Sequence, residues 1–443
     1  MKRKFLLIAL LSLVSFGYSQ KKWSLRECVD EALKKNITVQ QNKVNLLQAE
    51  KDVAIAKGNF LPTVSGSAGT NFNSGLSPDE NGVLRNTNNI NANFSINARG
   101  TIFNGYRNLN TYKQAQLGVE ASKLTLERIQ NDISLFVVNG YLNVLFAKEN
   151  LGVAKVQAEI SKKQVEAAQS RFDAGVAPKG DLLNVQATAA NDAQNVVTLQ
   201  NTLNIALLNL AQLLQVPSEN FDVIEIQVGT PSASLLYNNS NMVYEKALTN
   251  QPQIKNAELG LENAELSVKI SKSFLMPTVS YSLGTSTSYF DQLNNLFPGQ
   301  TNQSFFDQLN NRLQYGVGLS VSVPIFNGFQ NKNNVAKSIL GKDLAQLSLE
   351  SEKLSLQQTI EQAYLDTKAA AKSYEAAKIS LASQREAFKN AQESFNLGAM
   401  SLFDFDLIRN RLVSAESTLI RSKYDFVFRT KVLQFYYGEL NLD

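Results

Sequence analysis

Residues 171–186 read RFDAGVAPKGDLLNVQ. A long helix-forming stretch ends at Gly175, the chain breaks at Pro178 and Gly180, and Asp181 falls in the first turn of a new apolar run. That punctuation predicts two helices joined in a hairpin, with its tip here. Residues 394–409, SFNLGAMSLFDFDLIR, carry the same design, with Gly398 and Asp404 at the separation of Gly175 and Asp181. Two tips in one chain imply a structure built twice.

The rest of the sequence bears the same duplication. A shift of 223 positions lays Ile102-Phe103-Asn104-Gly105 on Ile325-Phe326-Asn327-Gly328, Tyr141-Leu142 on Tyr364-Leu365, and one tip on the other. A shift of 215 lays Pro62-Thr63-Val64-Ser65 on Pro277-Thr278-Val279-Ser280, so the second half carries the longer loop. A unit of this size far exceeds the roughly 20 to 50 residues of a solenoid repeat and reads as tandem duplication of one large module.

Composition narrows the classes of function. Nine prolines and 23 glycines in 443 residues leave little room for linkers. Lys and Arg number 43 against 39 acids; without Lys2, Arg3 and Lys4 the balance is 40 against 39, a net +1. No basic patch argues for nucleic acid. With no histidine and one cysteine, a Cys/His zinc site, a Ser-His-Asp triad and an intrachain disulfide are excluded, and no cofactor is implied. Cys28 is expected as a free thiol on a helix.

The pattern along the chain divides into segments. Residues 1–19 combine a basic start, an apolar run and small residues near Ser19, as in a cleaved secretory signal. The first repeat spans 20–216: a helix opened by the capping box Ser24 and Glu27, a strand hairpin at 60–103, a long helix, the tip at 171–186 and a shorter helix. Residues 217–234 form an irregular equatorial segment, and 235–443 repeat the order with a strand hairpin at 276–326 and the tip at 394–409. From Asn104 to Ala174 no proline intervenes, and Leu126, Ile129, Ile133, Val137, Tyr141 and Val144 step by threes and fours. About 70 helical residues reach roughly 105 Å, too long for a globular core.

The strands alternate. Ile90, Ala92, Phe94, Ile96 and Ala98 are interleaved with Asn91, Asn93, Ser95, Asn97 and Arg99; Tyr315, Val317, Leu319, Val321 and Val323 are interleaved with glycine and serine. One apolar face and one polar, nearly uncharged face over about 13 residues is the pattern of an outer-membrane barrel wall. Asn97 and Arg99 then belong to the lumen face, with Arg99 its one charge. Four strands cannot close a barrel, and open edges in lipid cost several kcal/mol per unpaired group. Several chains must therefore combine, giving 8, 12 or 16 strands for two, three or four copies.

At this point the sequence resembles the TolC family of outer-membrane efflux and secretion ducts. The resemblance covers essentially the whole mature chain. Its carriers are the duplicated element order, the IFNG segment opening each long helix, and the tips RFDAGVAPKGDLL and SFNLGAMSLFDFDL. It implies a homotrimer, with a 12-stranded barrel in outer-membrane lipid continued by a periplasmic α-helical barrel. It also implies a periplasmic adaptor (membrane fusion) protein contacting the tips, at Arg171, Gly175 and Gly398, and an inner-membrane pump supplying substrate. Members of the family have no catalytic activity.

The family's entrance aspartates fall on Asp181 and Asp404. Where some members place a second acid, this chain has Leu407, with Asp406 beside it, and polar locking positions hold Gly180, Phe395 and Met400. Where this chain departs from the family's polar lock, an apolar constriction around Phe395 and Leu407 is the expected substitute. The same aspartates and glycines also suit plain helix capping. Two other functions compete with a passive export duct: a trimeric surface adhesin, whose strands would sit together at the C-terminus, and a periplasmic coiled-coil scaffold, which four alternating strands oppose.

Overall fold

The computed structural model describes residues 22–78, 82–225, 237–294 and 303–439. The expected signal at 1–19 and part of the equatorial segment lie outside them. Nine helices and six strands follow in order: β1 (Lys22–Trp23), α1 (Leu25–Lys35), α2 (Ile37–Gly58), β2 (Thr63–Pro78), β3 (Leu84–Phe103), α3 (Arg107–Asp173), α4 (Lys179–Leu214), β4 (Asp222–Val223), α5 (Ser240–Asn250), α6 (Pro252–Ser273), β5 (Thr278–Gln292), α7 (Phe305–Asn311), β6 (Gln314–Ser322), α8 (Gln330–Asn396) and α9 (Leu402–Tyr437). Helices α1 and α5 have 11 residues, α2 and α6 have 22, α3 and α8 have 67, and α4 and α9 have 36. The chain forms two compact units, one of residues 1–44, 124–256 and 350–443, the other of residues 45–123 and 257–349.

The first unit is helical. Ser24 and Glu27 form the expected reciprocal capping box at the start of α1. The sequence reads as one helix to Gly58, but the chain turns at Asn36, with φ −54° and ψ 127°. Its side-chain oxygen accepts from Thr38 N at 2.9 Å, so this residue ends one helix and caps the next. Gln251 makes the corresponding break before Pro252, which occupies the first position of α6, where a missing N–H costs nothing.

Ile133, Val137, Tyr141 and Val144 of α3 are buried in the main core with Cys28, Leu210, Leu214 and Val223. Cys28 is thus a core thiol, outside any disulfide. Strands β1 and β4 pair in parallel, and Tyr141 Oη donates to Ile224 O at 2.7 Å.

Asp222 beside that pair is held by Lys148 at 2.6 Å and Lys22 at 3.3 Å. Burial alone would raise its pKa; the bond from Lys148, the Val223 N–H and Lys22 outweigh burial and lower it below 3.8. A carboxyl lowered on folding contributes stability above its unfolded pKa, and that contribution is lost as pH falls through the folded value. Asp222→Asn is therefore expected to lower the thermal midpoint at pH 7 and to flatten its decline between about pH 5 and pH 3, as followed by circular dichroism.

The second unit holds one antiparallel sheet of order β2-β3-β5-β6, so the two hairpins join through β3 and β5. Residues directly opposite share a face. Val64, Ala98, Leu283 and Val317 form one row, and Gly66, Ile96, Thr285 and Tyr315 another. On the other face stand the rows Thr63, Arg99, Ser282, Gly318 and Ser65, Asn97, Gly284, Gly316. The strands are 16, 20, 15 and 9 residues long, more uneven than the alternation suggests. Because β3 begins at Leu84, Arg85 joins Arg99 on the polar face at the opposite end of the strand. β6 is short, and the helix α7, which the sequence reads as loop, covers the remaining edge of β5: Gln308 Oε1 accepts from Phe290 N, and Thr287 donates to Leu309 O. β2 and β6 are the outer strands, and among the described residues neither has a further strand partner.

Both IFNG segments fold alike. Gly105 and Tyr106 take φ +66° and +62°, and Gly328 and Phe329 take +62° and +63°. Phe103 meets Tyr106 edge to face at 5.4 Å, as Phe326 meets Phe329. Asn108 then donates to Asn59 O, and Asn331 to Phe274 O, each at 2.7 Å and each to the first residue after the preceding helix. The start of a long helix is thereby tied to the end of the helix that precedes the strands.

Candidate functional site

The tips are assembled from short-range bonds. In the first, Gly175 has φ +76°, its N–H reaches Phe172 O at 2.8 Å, and Val176 N reaches Arg171 O at 3.0 Å. In the second, Gly398 has φ +74°, with bonds to Phe395 O at 3.0 Å and from Ala399 N to Ser394 O at 2.9 Å. This double bond pattern closes both long helices, and the left-handed residue is the reason each position is glycine. The Arg171 side chain is exposed. Helix α4 begins at Lys179, so Gly180, expected as a break, lies inside its first turn.

The two aspartates differ in their local bonds. Asp404 N donates to Ser401 Oγ at 3.1 Å, and the same hydroxyl donates to the Asp404 carboxylate at 2.7 Å. The hydroxyl therefore caps α9 and orients the carboxylate. Asp181 follows Pro178, which supplies no side-chain cap. Both carboxylates are exposed to solvent, in the first turns where the helix dipole favours negative charge.

Leu407 is 44% exposed and remains free to meet another surface. Phe395 instead stacks on Phe405 at 4.7 Å inside its own hairpin, and Phe388 closes on the same ring at 5.6 Å. Asn97 and Arg99 are exposed on the polar face of β3 in the other unit. The tip residues and these two therefore belong to separate places in the chain.

A cluster that the sequence reading did not single out lies seven residues into α9. Arg409 is 2% exposed. Its Nη1 donates to Ser161 Oγ at 2.9 Å and lies 3.4 Å from both Gln164 Oε1 and Asp192 Oδ2, while Nε lies 3.6 Å from Asp406. The Gln157 amide oxygen, turned inward, accepts at 3.0 Å. Ser161 in turn donates to Asp192. Burial pushes the Asp406 pKa up, Arg409 pulls it down, and Asp192 adds to the rise. One side chain of α9 is thus joined to α3 and α4, the nearest such polar link to the tips among the described residues. Its sequence signal is slight: Arg409 follows the buried Phe405 by four residues and shares its helix face.

Among the described residues no helix is long and apolar enough to cross a membrane, and no group of three or more acidic or cysteine side chains is placed to hold a metal ion. The four-stranded sheet with one apolar face, in a chain that also holds two helices of 67 residues, defines a channel-forming class of outer-membrane protein. Residues 28–215 and 243–438 match the family model of outer membrane efflux proteins, and the chain belongs to that family. It is 22% identical to the outer membrane efflux protein BepC of Brucella suis over 98% of this chain and 90% of that protein. It is likewise 22% identical to the outer membrane protein TolC of Escherichia coli, over 100% and 87%. The crystal structure of the Campylobacter jejuni CmeC outer membrane channel superposes with a TM-score of 0.75 over 94% of this chain and 86% of that one, at 20% identity. This is therefore an outer-membrane protein of the efflux and secretion class, extending into the periplasm.

Proposed function

We propose that three copies of this chain form a passive exit duct, with a 12-stranded barrel in the outer membrane and a helical barrel in the periplasm. A periplasmic adaptor engages the tips at Arg171, Gly175 and Gly398, and an inner-membrane pump delivers substrate. The observation that carries this reading is the four-stranded sheet, apolar along one face, whose outer strands β2 and β6 have no further strand partner among the described residues. Such edges in hydrocarbon require closure by further chains, and three copies supply 12 strands. The paired helix lengths support the reading of two tandem modules. The detergent-solubilised protein is expected to have the native mass of three chains; the mass of one chain would contradict it.

The tips form the entrance in this proposal. Asp404 lines it with Asp181 close by, and Leu407 supplies the apolar narrowing, with Phe395 buttressing it through Phe405. Three carboxylates around one axis concentrate negative potential. A trivalent cation added from the periplasmic side is expected to block single-channel current in a planar bilayer, and Asp404→Asn to weaken that block by about tenfold or more. Asp181→Asn has the smaller effect. An unchanged block in the double variant, with only thermal stability lowered, would reduce both aspartates to helix caps.

A further inference from the structure

We infer that the junction between β3 and α3 is a binding site for multivalent oxyanions, formed by Arg99 and Arg107. Both arginines line one cavity of about 380 Å³, together with Thr63, Thr101 and Thr111, and no acidic residue lines it. Among the described residues neither arginine forms an ion pair; Arg107 lies over the Phe274 ring at 4.6 Å, which fixes the side chain without neutralising it. The α3 N-terminus is not the source of the site, because Asn104 Oδ1 already accepts from Asn108 N.

The second junction supplies the comparison. It keeps the asparagine tie, the edge-to-face ring pair and both left-handed residues. At the offset of 223, however, Ser322 stands for Arg99 and Gln330 for Arg107, and Gln330 is likewise the first residue of its helix. The fold of the junction therefore does not require the two cations. Two unneutralised guanidiniums in one polar recess attract an anion and can chelate its oxygens in pairs. Arg99 stands on the polar face, so in the proposed duct the recess opens to the lumen; only that placement rests on the functional reading.

The test uses the full detergent-solubilised protein and inorganic pyrophosphate, at ionic strength matched with chloride. Pyrophosphate is expected to raise the thermal midpoint of the wild type and not that of Arg99→Ser/Arg107→Gln, which installs the residues of the other junction. Arg99→Lys/Arg107→Lys, keeping the charge, is expected to retain most of the shift. In bilayers, the pyrophosphate concentration that half-blocks the current should rise at least about tenfold in the Ser/Gln variant. No shift in the wild type, or equal shifts in both proteins, overturns the site. Should the double variant fail to fold, the exposed Arg99→Ser alone must show a reduced shift, and an undiminished one overturns the inference. A wild type that binds pyrophosphate but never conducts refutes the duct and leaves the site; one that conducts without binding refutes the site alone.

Discussion

Arg409→Met is expected to cost about 3 kcal/mol of stability. Removing one partner of a buried charge network leaves the others uncompensated, which costs roughly 3 to 5 kcal/mol. The lower end applies because Asp192 and Asp406 retain 20% and 21% exposure and are partly solvated. Ser161 and Gln164 would also lose their donor. A triple variant that also carries Asp192→Asn and Asp406→Asn should recover most of the loss, because replacing a buried ionic set by neutral groups is often close to neutral. The pH dependence separates charge from packing. Asp406 has its pKa raised in the folded protein, so it destabilises as pH rises through that range and the penalty lifts on acidification. The Arg409→Met midpoint should therefore approach that of the wild type as pH falls from 7 into the acid range. A midpoint lowered equally at every pH would identify lost packing as the cause.

Ile96→Arg is expected to deplete assembled protein strongly, whereas Asn97→Arg leaves it nearly unchanged. The two residues are adjacent in β3 and point to opposite faces. Ile96 stands opposite Gly66 and Thr285, on the face of Val64, Ala98 and Leu283, and an arginine facing lipid near the bilayer middle costs about 2 to 4 kcal/mol. Asn97 stands opposite Ser65 and Gly284, and its Oδ1 lies 2.7 Å from where a Cβ on Gly284 would sit. The glycine leaves room for the longer side chain to lie along the polar face. Quantitative blotting of the trimer band from outer-membrane fractions measures both. Equal depletion would contradict the assignment of the apolar face to lipid.

Features with a short-range cause were the ones the sequence displayed. Gly175 and Gly398 announce the tips because only a left-handed residue closes those helices, and the period of two through Ile90 to Ala98 reports the sheet faces directly. What stayed hidden depends on distant partners or on a competing local signal. The turn at Asn36 has no glycine or proline to mark it; a single side-chain oxygen does the work. Helix α7 lies just after the loop residues Asn294, Asn295, Pro298 and Gly299, which dominate any reading of that stretch. Arg409 sits in the run IRNR and looks like a solvated helix face until Ser161 and Asp192, more than 200 residues away, are brought beside it. The pairing of β3 with β5 is likewise long-range, since alternation within a strand states its faces but not its neighbour.

The asparagine ties at the two junctions bear on how this chain tolerates change. Asn108 fastened to Asn59, and Asn331 to Phe274, close each strand pair at its base like a drawstring. Loop length enters the closure entropy only logarithmically, and doubling a loop of this kind costs about 0.6 kcal/mol. An epitope tag or a reporter peptide inserted between β2 and β3, or between β5 and α7, should therefore leave the long helices in register. The far ends of the strands are where sequence length is free to drift, and where a label can be carried without disturbing the rest.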